Sequence, residues 1–374
     1  MSTLLQQAPH RQGEPCEGLD VWRDGYRLHL ISRSVPPTQA ADIAAKVAYR
    51  PDLYPSAGAV EGYAEDSTFA RADRSAVHGR RPGKHVSARA QKLIDLGCTI
   101  AQNPPKGADI LFSHAVFCQV GLPRKQVAGR EFMRQSGSAW LSVQAGWLDE
   151  GHGPVAQPLP YGALPRLALA WVSTQALRDR SREVKIGNSA SEFLRMLGKP
   201  TTGGPRGAFR TLRTQMHALA ACRLQIGFKG RTFNGQPVEQ FDAWQDSKDD
   251  RQHALWPGVL VLSECYYSAL VDSAVPMDYR ALRGLGDSAL KLDIYSWLTH
   301  RLHRVEGRGT AISWLALRDQ FGQEYQGKNA SKDFRKTFVD ALQKVQEVYP
   351  TARVKIVDRG LHLMPSPPPV PYKP

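Results

Sequence analysis

Arg206, Arg210 and Arg213 lie close together in the stretch TTGGPRGAFRTLRTQMHALA, residues 201–220. Placed on a helix at about 100° per residue, they share one stripe with His217. Phe209, Leu212, Met216 and Leu219 form a second stripe about a quarter turn away. Arginine offers a rigid fork of donors that matches phosphate oxygens or the O6 and N7 edge of guanine. A solvated helix face carries arginines too, but usually with Glu spaced to pair with them. This stretch contains no acidic residue, which favours a polyanion as its partner.

Other residue types could do chemistry, and their surroundings argue against it. Tyr266-Tyr267 could supply a nucleophile for cutting DNA, but that chemistry needs a metal-binding His-x-His, and the chain has none. The two tyrosines read as strand residues. His300 and His303 are three apart on a segment whose helical face is taken up by packing. The piece LGKPTTGG approaches a phosphate-binding loop, yet Phe193 stands where the first glycine belongs and Pro200 follows the lysine. The cysteines (Cys16, Cys98, Cys118, Cys222, Cys265) form no CxxC pair, so neither zinc nor a disulfide framework is suggested. The expectation is a reduced, cytoplasmic protein that is not an enzyme and needs no cofactor or metal.

The charge supports a polyanionic partner. The chain of 374 residues carries 49 basic and 35 acidic residues, a net charge of +14. Residues 163–231 alone hold 13 Lys or Arg against 3 Asp or Glu, a net +10. Excess of this kind favours nucleic acid or an anionic membrane surface. No run of about 20 apolar residues exists to span a bilayer, and MSTLLQQAPHRQG lacks the apolar core of a signal peptide.

The elements that must position the arginines can be read from caps and periods. Residues 1 to about 85 alternate Pro, Gly, Ala and Asp without a period and are expected to be poorly ordered, with a short helix at 39–48 and a basic loop at 77–85. SARAQKLIDLG (87–97) predicts a helix capped by Ser87 and ended by Gly97. Residues 110–123 suit a buried strand or helix, and 131–137 with 138–146 suit two strands around a Ser-Gly turn. A helix follows at 163–180, a short strand at 182–187, and a helix at 189–199 whose Ser189 and Glu192 form a capping box. The arginine helix comes next. Residues 222–241 read as a hairpin turned at Asn234-Gly235, and 258–271 as a strand-like run.

The last third repeats this order. A long helix is predicted at 289–305, a short one at 312–322 and a longer one at 329–350, followed by a hairpin at 352–365 turned at Asp358-Arg359-Gly360. On the longer helix Phe334, Phe338, Leu342, Val345 and Tyr349 form the apolar stripe, and Lys328, Lys332 and Arg335 line up beside it with Lys336 adjacent. Helix, short helix, longer helix with a basic start, then hairpin is the order of a winged-helix domain, in which the third helix enters the major groove. The fold class expected is therefore α+β, with tandem winged-helix domains at 106–272 and 273–374 behind an N-terminal region at 1–105.

Several stretches resemble the RepA-type replication initiators of bacterial plasmids. They are LPYGALPRLALAW (159–171), EFLRMLG (192–198), TLRTQMHAL (211–219), VPMDYRALRGL (275–285), LDIYSWLTHRL (292–302), DQFGQEY (319–325), KVQEVYPTARVKI (344–356) and GLHLMPSPPP (360–369). The resemblance covers roughly 108–370. It implies a protein that binds direct repeats (iterons) in double-stranded plasmid origin DNA, helps open the duplex, and recruits the host initiator and replicative helicase, with self-dimers as a second state. Carried onto this chain, the recognition helices are the segments 206–219 and 329–349. Arg206, Arg210 and Arg213 are the candidates for bases or phosphates there, with Lys328, Lys332, Arg335 and Lys336 on the second. Lys229, Arg231 and Arg359, on or near the hairpins, are expected to meet phosphates. The RGAFRTLR start departs from the typical pattern in detail. The competing reading is a winged-helix transcription regulator, and direct repeats of about twenty base pairs beside the gene would separate the two.

Overall fold

The computed structural model describes residues 87–371 except 205, 206, 229, 243–255 and 257, together with positions 27, 38, 39 and 41. The chain divides into two units, Met1–His85 and Val86–Pro374. The helix expected at 39–48 and the basic loop at 77–85 lie outside the described residues, apart from Gln39 and Ala41. Among the described residues no helix is long and apolar enough to cross a membrane.

Ser87 opens helix α1 (Ala88–Gln102), its hydroxyl accepting from the Ala90 N–H at 3.2 Å. The helix does not stop at Gly97. Glycine is there because α1 crosses the long helix near the C-terminus, and a Cβ at position 97 would lie 1.9 Å from the Glu347 carbonyl oxygen. Strand β1 (Ile110–His114) follows. Strands β2 (Glu131–Ser136) and β3 (Ala139–Gln144) form the hairpin expected around Gly137, and β4 (Trp147–Asp149) with β5 (Pro154–Ala156) form a second, smaller one.

Helix α2 (Ala163–Asp179) is buried along most of its length and leads to β6 (Glu183–Lys185). Ser189 caps α3 (Ala190–Met196), accepting from the Glu192 N–H, while the Glu192 carboxylate accepts from the Asn188 N–H. Helix α4 (Ala208–Ala221) then runs into β7 (Arg223–Phe228), β8 (Arg231–Gly235), β9 (Val238–Phe241) and β10 (Val259–Leu262). Asn234-Gly235 is not the hairpin turn. The β7–β8 ladder pairs Phe228 with Arg231, so the turn is at 229–230, where Gly230 takes φ +80°. Asn234 instead sits opposite Gln225 inside the ladder. Burial of Leu224 and Ile226 on β7 fixes that register. Strands β2, β3, β7 and β8 make one sheet in that order, and β6, β10 and β9 another.

The run 258–271 is a strand only as far as Leu262. Ser263 then caps α5 (Glu264–Ser273), accepting from the Tyr266 N–H, with Glu264 in the first turn. Tyr266 and Tyr267 are therefore helical, not strand residues; a short apolar run suits either state, and the cap decides. Tyr266 is buried with its hydroxyl 3.1 Å from that of Ser173, and burial pushes it up to about 12.

Strand β11 (Ala274–Asp278) pairs antiparallel with β1. Helices α6 (Tyr279–Leu285) and α7 (Ala289–Leu302) follow. The short helix expected at 312–322 is split: Thr310–Ser313 is strand β12, and Ser313 caps α8 (Trp314–Phe321). The long helix α9 (Ala330–Val348) buries Phe334, Phe338, Leu342 and Val345, the stripe its sequence displays. Strands β13 (Val354–Val357) and β14 (Gly360–Leu363) close the hairpin at Asp358-Arg359.

One order of elements thus occurs twice. Helix, strand, helix, helix, strand, strand describes both α2-β6-α3-α4-β9-β10 and α7-β12-α8-α9-β13-β14. In each the first strand pairs with the last, giving the sheet orders β6-β10-β9 and β12-β14-β13. The first set carries β7 and β8 as an addition between its third helix and its sheet.

Candidate nucleic-acid interface

Helix α4 has two halves. From Gln215 to Ala221 every residue is buried. The polar surface is confined to the first turns, where Arg210 and Thr211 are exposed and Arg213 and Thr214 half-buried. The helix starts at Ala208, whose N–H is accepted by Thr202 Oγ1 at 3.1 Å. Arg206 therefore precedes the helix, outside the described residues.

The acid that α4 lacks comes from the β4–β5 hairpin. Glu150 Oε2 accepts from Arg213 Nη2 at 3.3 Å, and Oε1 lies 3.2 Å from His217 Nδ1 and accepts from Gln157 Nε2 at 2.7 Å. Asp149 Oδ1 holds the hairpin turn by accepting from the Gly151 and Gly153 N–H groups. Burial would raise the Glu150 carboxyl. Hydrogen bonds from Gln157 and His217, with the charges of His217 and Arg213, outweigh it and hold the group below its ordinary value. A cavity of about 590 Å³ lies here, bounded by Glu150, Gln157, Phe209, Arg210 and His217. Arg213 thus shares the Glu150 carboxylate with His217 and Gln157, and Arg210 is exposed at the helix start. Lys229 lies outside the described residues and Arg231 begins β8. Arg231 thus belongs to the four-stranded sheet, not to the β9–β10 connection that closes the first repeated set.

The second repeated set presents a more continuous basic surface. Lys328, Lys332, Arg335 and Lys336 are all exposed at and just before the start of α9. The Arg335 guanidinium lies 4.9 Å above the Trp314 ring at the start of α8. The Trp314 backbone N–H donates to the Arg359 carbonyl at 3.0 Å, so this residue touches α9 through its ring and the β13–β14 turn through its backbone. Arg318 of α8 donates to Ser331 Oγ of α9 at 2.9 Å. Arg359 is exposed at the hairpin turn, with Lys355, Ile356 and Val357 exposed along β13. Trp314 thus links the Arg335 guanidinium to the Arg359 backbone, and Arg213 sits in an acid-paired setting. A row of exposed cations at a helix start, beside a hairpin that also carries one, can neutralise phosphates and reach base edges.

Residues 159–316 match the model of a family described as plasmid encoded RepA protein. This region is similar to the RepA family. The comparisons with curated proteins and with solved structures found no match. The RepA region runs from just before α2 through α7 and β12 into the start of α8, and so contains the whole first repeated set. It supports a role in plasmid replication. Glu150 escaped sequence reading because it pairs with Arg213 across 63 positions, and no local spacing encodes such a contact. The Asp149-Glu150-Gly151 turn between two short strands was the available signal. Lys355 was legible as a strand residue; its outward direction follows from the burial of Val354 beside it.

Proposed function

We propose that the chain is a plasmid replication initiator that reads duplex origin repeats with two winged-helix modules. In this reading α3–α4 and α8–α9 are helix-turn-helix pairs, α4 and α9 enter successive major grooves, and the β13–β14 hairpin meets the backbone. The observation that carries it is the repeated order of elements and of sheet pairing, with exposed cations at the start of both third helices, in a chain whose residues 159–316 match the RepA family. Arg210, Lys332 and Arg335 are the candidates for base edges, and Lys328, Lys336 and Arg359 the candidates for phosphates. Arg206, Lys229 and Arg231 remain candidates on charge alone. The partners follow from the role: double-stranded origin DNA first, then the host initiator and replicative helicase, with a self-dimer as the alternative state. The reading assigns no catalytic step and no cofactor.

Two modules, each covering one helical turn, should protect about twenty base pairs. The test is a footprint of the full chain on the plasmid region beside its gene. Protection of tandem direct repeats of about that length supports the initiator reading. Protection confined to an inverted repeat in the promoter contradicts it.

A further inference from the structure

The connection between α8 and α9, which sets the direction of the second candidate recognition helix, is gripped by arginines from the first half of the unit. Glu324 lies in that connection. Arg124 donates to it through Nε at 3.1 Å and Nη2 at 2.5 Å, and Arg134 Nη2 of β2 donates at 2.9 Å. Arg134 is 1% exposed and Arg124 is 7% exposed. Arg134 also donates to the carbonyls of Gly121 and Leu122, and through Nε to Gln323 Oε1. Next to Glu324, Tyr325 packs edge-on against Phe334, in the first turns of α9, at 5.6 Å. The chain of contact therefore runs from the end of α4 into β7, across the sheet through β3 to β2, and through Glu324 and Tyr325 into α9. A second tie is parallel to it: Arg166 of α2 donates through Nε and Nη2 to Asp293 of α7 at 2.6 and 2.9 Å.

A buried ion pair adds little net stability over well-packed apolar residues of the same volume, because desolvation offsets most of the attraction. Its distinctive property is direction. A two-point arginine–carboxylate contact fixes distance and angle, whereas an apolar contact can slide. Such a contact at this place has a use for a protein that reads DNA with two modules, because the separation of the two helices decides which spacing of contacted base pairs fits.

We infer that the Arg124–Arg134–Glu324 cluster is a positioning device that fixes the distance and rotational phase between α4 and α9, so that the protein accepts its repeat at one internal spacing. The inference rests on the two-module reading above. Arg124, Arg134 and Glu324 touch no DNA in this account; they act through the orientation of α9.

The test uses the full chain on duplexes carrying its footprinted repeat, intact or with base pairs inserted one at a time between the two protected halves. Wild type should lose about a hundredfold in affinity on the first insertions, as the second module is carried out of reach. Glu324→Gln, which keeps the shape and removes the charge, should bind the intact repeat somewhat more weakly and lose less than about tenfold on the same insertions. Arg124→Met serves in its place if Glu324→Gln fails to fold by circular dichroism. An insertion penalty in the variant equal to that of wild type overturns the inference and leaves the two-module reading standing, as does a wild type indifferent to spacing. Wild type without preference for the repeat over scrambled duplex overturns the two-module reading itself.

Discussion

At the scale of single residues, the arginines of α4 are not equivalent. Arg210 is exposed at the helix start, while Arg213 shares the Glu150 carboxylate with His217 and Gln157. Arg210→Ala should cost about 1–3 kcal/mol of discrimination between origin repeat and scrambled duplex, as loss of a base-reading arginine does. Arg213→Ala should lower the melting temperature more than it lowers that discrimination. Competition binding and thermal melts on the two variants separate the roles; equal loss of discrimination would put Arg213 on the DNA. Glu324 gives a second prediction. Burial alone would raise its carboxyl, but the hydrogen bond and charge of Arg124, with the charge of Arg134, bring it to about 2. A carboxyl depressed from 4.5 to about 2 stabilises the fold fully above pH 4.5 and loses that contribution as pH falls toward 2. The stability gap between wild type and Glu324→Gln, on the order of 2–3 kcal/mol in urea at neutral pH, should therefore narrow steadily below pH 4.5. The basic row on α4 was legible because helical period is local. The carboxylates that answer Arg213 and Arg134 were not, because they arrive from strands and turns 63 and 190 positions away.

At the scale of elements, what could be read were the caps. Ser87, Ser189 and the hairpin turn at Asp358-Arg359 stand where their sequence signals place them. Two glycine-based readings failed for a common reason: the residue's tertiary neighbour overrides its local signal. Gly97 is a helix crossing, and Gly230 rather than Gly235 supplies the turn. These corrections make opposed predictions. Gly97→Ala should destabilise by about 1–3 kcal/mol or abolish folding, since the added methyl meets backbone rather than a movable side chain. Gly230→Ala should cost about 1–2 kcal/mol for a left-handed residue, while Asn234→Ala, exposed within a ladder, should stay within about 0.5 kcal/mol. Denaturant melts of the three variants check the set; a larger loss at Asn234 than at Gly230 would restore the Asn-Gly turn. The repeated order of helices was visible in the sequence. A hairpin at 222–241 was visible too, but not that its β7–β8 pair joins the β2–β3 sheet, because a hairpin that joins a neighbouring sheet looks the same in sequence as one that closes its own module.

At the scale of the whole molecule, two buried histidines tie stability to pH. Burial pulls His114 down to about 4, and burial with the charges of Arg304, His303 and Arg301 does the same to His300. In the unfolded chain both take up a proton near pH 6.5, and in the folded one only near pH 4. Stability should then fall as pH drops from about 6.5 toward 4, by a few kcal/mol in total, and His300→Gln should flatten that slope in calorimetry at stepped pH. The charge excess that suggested a polyanion belongs to this scale as well, and an electrostatic excess of this kind sets affinity for a polyanion rather than sequence preference. The measurement that bears most directly on the account is therefore a salt series of the full chain on its origin repeats and on scrambled duplex. The account predicts a preference of at least about a thousandfold for the repeats, with both affinities falling by about 0.9 log units per phosphate contacted for each log unit of salt. Equal affinity for the two duplexes at every salt concentration would contradict it and leave only an electrostatic surface.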